Sequence, residues 1–146
     1  MTTTHHDPFP DKRYFSVEEA NRALPYVQRI VKDVAEVYSR IVDLRREVEQ
    51  AADTGGDSET AEARYETAMD RLSALVDELH AVGVELKDFE KGLIDFPAVH
   101  DGREVQLCWH PGEPEVGYWH ETDAGYAGRQ SVDTLENVKT AADDED

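Results

Sequence analysis

An apolar stripe between Ser16 and Ala52 sets the terms for the whole chain. Val17, Ala20, Leu24, Val27, Val31, Val34, Tyr38, Ile41, Val48 and Ala52 recur in alternating steps of three and four, interrupted only at Arg45. That is the spacing of a heptad seam. Ala23, Ile30, Val37 and Leu44 broaden the seam, so the helix has more to bury than one thin coiled-coil contact. Its start is marked by Ser16 with Glu19 three residues on. In this capping box the serine accepts from an early helical N–H and the glutamate reaches back to the Ser16 N–H. Pro25 falls inside the pattern, where its missing N–H and its ring predict a kink near residues 21–24.

Asp53-Thr54-Gly55-Gly56-Asp57-Ser58 breaks the stripe. Its glycines end the first helix, and Asp57 or Ser58 can cap a second. That second helix carries Tyr65, Ala68, Leu72, Leu75, Leu79 and Val82, with Met69 and Val76 beside them, and Gly83 stops it. Two matching seams joined by a short turn predict a long antiparallel two-helix hairpin over residues 16–82. With the turn centred near Gly55, Ile41 lies opposite Met69 and Val34 opposite Val76. The second helix therefore runs out before Leu24. Phe15, Val17, Ala20 and Leu24 need another cover, which the C-terminal half must supply.

Beyond Gly83 the period shortens. Val84–Lys87, Leu93–Val99, Glu104–His110 and Val116–Glu121 alternate as short strands do. Asp101-Gly102 is a strong hairpin turn, and residues 111–114, with two prolines and a glycine, make the next one. Pro97 suggests an edge position or a bulge. The expected fold class is α+β: a coiled-coil-like hairpin followed by a small antiparallel sheet. Residues 14–131 form one domain, with the hairpin over 16–82 and a β module over 84–130. A mobile leader is expected over 1–13 and an acidic tail over 132–146.

Composition narrows the partners. Asp and Glu number 33 against 15 Lys and Arg, a net charge of -18. Such a charge repels phosphate backbones and anionic lipid, which argues against general nucleic-acid or membrane binding. No stretch has the roughly 20 apolar residues of a membrane span. One cysteine among 146 residues rules out an intramolecular disulfide framework. A soluble, cytoplasmic protein is expected, with a protein partner or self-association, such as a homodimer through the hairpin, as its interaction.

No catalytic signature names an activity, so no catalytic residue is assigned. Chemistry gathers on one face of the sheet. A two-residue turn at Asp101-Gly102 pairs Val99 with Glu104 and sets Asp95 opposite Cys108. Alternation then sends Ile94, Phe96, Ala98, Val105, Leu107, Trp109 and Trp119 to one face, the core side. Asp95, Gln106, Cys108 and His110 go to the other, joined by His120 opposite Cys108 if the second turn centres on Pro114. Asp95, Cys108, His120 and His110 together offer carboxylate, thiolate and imidazole, donors that zinc or another divalent transition metal accepts. The plainer reading is a polar outer face with a part-buried cysteine beneath the C-terminal loop. A nucleophilic Cys108 would need a lowered pKa and an oriented base. Arg129, in the glycine-rich loop over 125–130, and Glu113 are candidates for anion or ligand contact. The acids at the hairpin tip, Asp53, Asp57, Glu59 and Glu62, form either a solvated end or a surface for a basic partner.

Particular segments carry a family likeness. They are Phe15-Ser16-Val17-Glu18-Glu19-Ala20-Asn21 with Leu24-Pro25, then Gly83–Asp88, Gly92–Pro97 and Asp101–Val105. Leu107-Cys108-Trp109, Gly112-Glu113, Tyr118-Trp119-His120 and Gly125–Gln130 continue it. As a set these resemble the bacterial domain-of-unknown-function family 2203 (DUF2203). The resemblance implies a shared fold and no activity. It also implies that the position of His110 varies, which favours Asp95, Cys108 and His120 as the ligand set. Function on this reading is a non-catalytic binding or regulatory module on a helical scaffold. The alternative is a metal- or small-ligand-binding protein, and so an enzyme in principle, with its site on the outer face of the sheet.

Overall fold

The computed structural model describes residues 12–135. Helix α1 spans Val17–Asp53 and α2 spans Glu59–Val82. Strands β1 (Glu85–Asp88), β2 (Leu93–His100), β3 (Arg103–Trp109), β4 (Tyr118–Glu121) and β5 (Gln130–Ser131) follow. They form one antiparallel sheet in the order β1-β2-β3-β4-β5. The fold is α+β, as the change of period at Gly83 requires.

Ser16 and Glu19 make both halves of the capping box, each at 3.0 Å. From there α1 runs as a single helix through Pro25. The lost hydrogen bond falls on the Asn21 carbonyl, on a residue whose side chain is already committed elsewhere. Asn21 Oδ1 accepts from the Val116 N–H at 2.7 Å, and its Nδ2 donates to the carbonyls of Val17 and Val116. One asparagine thus ties the first turns of α1 to the loop before β4.

At the far end of the hairpin Asp57 Oδ1 accepts the Glu59 N–H at 2.8 Å, while the Ser58 hydroxyl donates to Glu62. Of the two expected caps, Asp57 is the one that bonds a backbone amide. Gly83 closes α2 in the left-handed conformation, and the Gly83 and Val84 amides turn back to the Leu79 carbonyl.

The two seams bury Val27, Val31, Val34, Ile41 and Leu44 of α1 with Ala68, Leu72, Leu75 and Leu79 of α2. Met69, expected opposite Ile41, is largely exposed. Where α2 ends, the sheet takes over. Phe15 is fully buried, its ring edge-on to Phe96 at 5.2 Å, and its N–H donates to the Pro97 carbonyl at 2.8 Å. Gly92 lies against the middle of α1: a Cβ there would come within 2.8 Å of Val31 and 2.9 Å of Pro111, and its φ is +73°. Ile94, Phe96, Ala98, Val105, Leu107, Trp109 and Trp119 all join the same core as the helices.

Pro97 is in β2, a central strand, rather than in an edge strand. The pairing of β1 with β2 stops at Asp95, so Pro97 sits where one side of the strand is locally open, and Phe15 fills that side. Lys12 and Arg13, expected in the leader, pack on the domain: Lys12 Nζ is 2.9 Å from Glu104, and the Arg13 guanidinium lies over the Phe15 ring. The tail expected from residue 132 begins as a short 3-10 turn, Val132–Thr134, with Leu135 buried. The rest of both segments lies outside the described residues.

Phe15 is fully buried against Phe96 of the sheet and beside Gly83 at the end of α2, so its truncation tests this architecture. Phe15→Ala is expected to cost about 3–5 kcal/mol in urea denaturation.

Candidate functional site

Three adjacent strands each contribute one side chain to the face of the sheet turned away from the helices. The Asp101-Gly102 turn, with φ of 54° and 75° at its two residues, is the tight hairpin that matches strand twist. It fixes Asp95 of β2 opposite Cys108 of β3, as the two-residue turn requires. On the next hairpin the pairing is Cys108 with Tyr118 and Gln106 with His120, not Cys108 with His120. The second turn centres on Glu113, one residue earlier than Pro114, and moves the register by two. A shift of two preserves the face, so His120 still leans across β3 toward Asp95. His120 Nε2 lies 3.2 Å from Asp95 Oδ1, and ligand atoms of Asp95, Cys108 and His120 all fall within 4.8 Å of one another.

This outer face is not solvated. Asp95 is 1% exposed, Cys108 0%, Gln106 4% and His120 4%. From the N-terminal side Lys12 and Tyr14 both reach Glu104, and Gln106 donates to Glu104 and to Thr122. From the C-terminal side comes the segment carrying Tyr126 and Arg129. The Arg129 guanidinium is held between two rings, 4.1 Å from Tyr118 and 4.5 Å from Tyr126, and it pairs with Glu113 at 2.9 Å. A cavity of about 320 Å³ remains under this cover, lined by Lys12, Lys87, Asp95, Gln106, His120 and Tyr126 among others.

The polar atoms in the cluster do not balance. His120 Nδ1 is 2.7 Å from the Glu121 carbonyl, which can only accept, so Nδ1 carries the hydrogen. His120 Nε2 faces Asp95 Oδ1 at 3.2 Å, a contact that a proton or a metal ion at that nitrogen makes attractive. The second oxygen, Asp95 Oδ2, has no hydrogen-bond partner, nor has Gln106 Oε1. Burial raises the Asp95 carboxyl above its ordinary value of 3.8, and His120 only partly counters it. Burial, reinforced by Asp95 and opposed by Arg129, pushes the Cys108 thiol up to about 11. A thiol raised in this way is a poorer nucleophile than a free cysteine.

His110 does not join the set. Strand β3 ends at Trp109, so His110 opens the turn instead of continuing the alternation. Its Nδ1 is 2.8 Å from the Pro111 carbonyl and its Nε2 is 3.5 Å from Glu113. Glu113 and Arg129 lie at the Cys108 end and pair with each other, with Arg129 Nη2 also 3.5 Å from the Cys108 carbonyl and Arg129 Nε buried without a partner. An incoming anion at Arg129 would therefore compete with Glu113. The tip acids Asp53, Asp57, Glu59 and Glu62 are all exposed, at the opposite end of the hairpin from the sheet. Two features escaped sequence reasoning. Alternation already put Gln106 on this face, but a glutamine carries no ligand signature. The Glu121 carbonyl that fixes the His120 ring has no side-chain signal at all.

The molecule is thus a helical hairpin joined to a five-stranded sheet with a buried Asp-Cys-His cluster under a polar cover. The chain belongs to the family of uncharacterised conserved proteins designated DUF2203, which it matches over residues 13–132. No curated protein and no solved structure matches it. Among the described residues no helix is long and apolar enough to cross a membrane.

Glu104 gives the cover a pH dependence. Burial raises its carboxyl, but hydrogen bonds from Lys12, Gln106 and Tyr14 outweigh that and leave it below the ordinary 4.5. The stability it contributes is complete above that ordinary value and is lost as pH falls through the lower folded-state value. Glu104→Gln is expected to flatten the acid limb of stability, read as urea midpoints from about pH 6 down to about pH 3.

Proposed function

We propose that the protein binds one divalent transition-metal ion, zinc by preference, through Asp95, Cys108 and His120. The observation that supports this most directly is the convergence of a carboxylate oxygen, a thiol sulfur and an imidazole nitrogen, all buried and within 4.8 Å of one another. A cation among them would take bonds from His120 Nε2 and Asp95 Oδ1, which lie 3.2 Å apart. It also satisfies the buried Asp95 Oδ2 side of the carboxylate, which has no other partner. The His120 Nδ1–H donated to a backbone carbonyl is the outer-shell arrangement that orients a ligating histidine and fixes its tautomer.

Donor chemistry narrows the ion. A thiolate with an imidazole and a carboxylate suits zinc, and is too soft for magnesium or calcium. A tetrahedral zinc with bonds of roughly 2.0–2.3 Å holds its ligand atoms about 3.3–3.8 Å apart. From a set already within 4.8 Å, closure needs only small side-chain rotations. Three protein ligands leave a fourth position, and sites of that kind hold water or an exogenous ligand there. The cavity beside Asp95 and His120 provides the room.

This reading goes ahead of the contact-module reading because the hairpin tip is simply solvated. Its one side-chain bond to a backbone amide, Asp57 to Glu59, is accounted for by helix capping.

Metal analysis of the untagged protein tests the proposal. One equivalent of zinc is expected, and cobalt substitution should give the near-ultraviolet thiolate-to-metal band. Cys108→Ser should abolish that band and His120→Ala should lower metal occupancy. Because the Cys108 proton must leave, uptake should release a proton and tighten as pH rises. Metal at about 100 times its Kd should add roughly 2.7 kcal/mol to stability. Absence of zinc and cobalt binding, or binding unchanged by both substitutions, would overturn it.

A further inference from the structure

Resting on the metal reading, we infer that Gln106 selects what occupies the fourth position: a small ligand that carries a hydrogen to donate, such as an N–H or O–H beside the atom that meets the ion. Gln106 lies two residues before Cys108 on β3 and directly opposite His120, so its side chain stands beside two of the three proposed ligands. It lines the same cavity as Asp95 and His120. Its amide is oriented by neighbours that fix which end is which. Nε2 donates to Glu104 Oε2 at 2.8 Å and to the Thr122 hydroxyl at 3.3 Å, and Glu104 as a carboxylate can only accept.

The amide therefore cannot turn over without losing its charge-assisted bond, and Oε1 is left as a buried acceptor without a partner. Such an atom is costly to leave unmet, and a donor arriving with the ligand satisfies it. Nothing comparable invites a bare anion. Lys12 is held by Glu104 and Lys87 by Glu85, at 2.9 and 3.0 Å, so the cationic side chains on this wall are already matched by carboxylates. A cavity of about 320 Å³ is at the small end for ligand pockets, which limits the ligand to a few heavy atoms beyond its metal-binding group.

The test uses cobalt-loaded protein and two matched probes, acetohydroxamic acid and its N-methyl derivative. Both offer the same two oxygens to the metal, but only the first keeps an N–H. Titration followed by the cobalt visible bands should show acetohydroxamic acid binding about 10-fold tighter, the worth of one satisfied buried acceptor. In Gln106→Met that preference should collapse. If this variant no longer takes up cobalt, Gln106→Asn, which withdraws the amide by one methylene, should show the same collapse. Equal affinities in the unsubstituted protein, or a preference that survives the substitution, would overturn the inference while leaving the metal site standing. Failure of the unsubstituted protein to take up cobalt would instead remove the metal reading on which it rests.

Discussion

The grip of Phe15 on strand β2 is the contact on which the arrangement depends. A two-helix hairpin buries its apolar stripe only as far as the shorter partner reaches, and α2 is 13 residues shorter than α1, 24 against 37. The uncovered start of α1 must find another apolar surface. It finds the inner face of the sheet, with Phe15 edge-on to Phe96 and bonded through its backbone to Pro97. That single docking decides which sheet face becomes core. With period-two alternation it also decides that Asp95, Gln106, Cys108 and His120 are pushed together on the other side.

That other side behaves unlike an ordinary outer face. Polar side chains facing water would relax into solvation, and here they are covered. The cover is polar and heavily paired, through Glu104 with Lys12 and Tyr14 and through Glu113 with Arg129. A buried carboxylate oxygen and a buried amide oxygen without partners run against the rule that buried polar groups find complementary ones. Glu104 is satisfied by three donors, while Asp95 and Gln106 are each left with an unmet oxygen.

Much of this was legible in the chain itself. The hairpin could be read because long amphipathic helices announce their period and because Ser16, Glu19 and Gly83 mark their ends. The Asp95–Cys108 pairing could be read because an Asp-Gly turn leaves one register. His120 was placed on the right face for an incomplete reason: the turn around Glu113 is looser than a two-residue hairpin, so only its parity carried over. His110 falls outside the cluster because alternation holds only while the strand lasts, and β3 stops one residue short of it. The burial of the outer face was not legible. It depends on Lys12, Tyr14 and Arg129 arriving from distant parts of the chain, and no local pattern encodes such a meeting.

The proposed ligand set is drawn from three neighbouring strands, at positions separated by 13 and then 12 residues (95 to 108 to 120). In finger-type sites two donors sit a few residues apart, so an unfolded chain already chelates weakly and the ion can nucleate structure. Here no two donors are close in sequence, and a disordered chain offers the ion only isolated single contacts. An ion would reach a sheet that had already formed. Its departure would be governed by the slow opening of the strands that frame it, more than by the fraying of any loop.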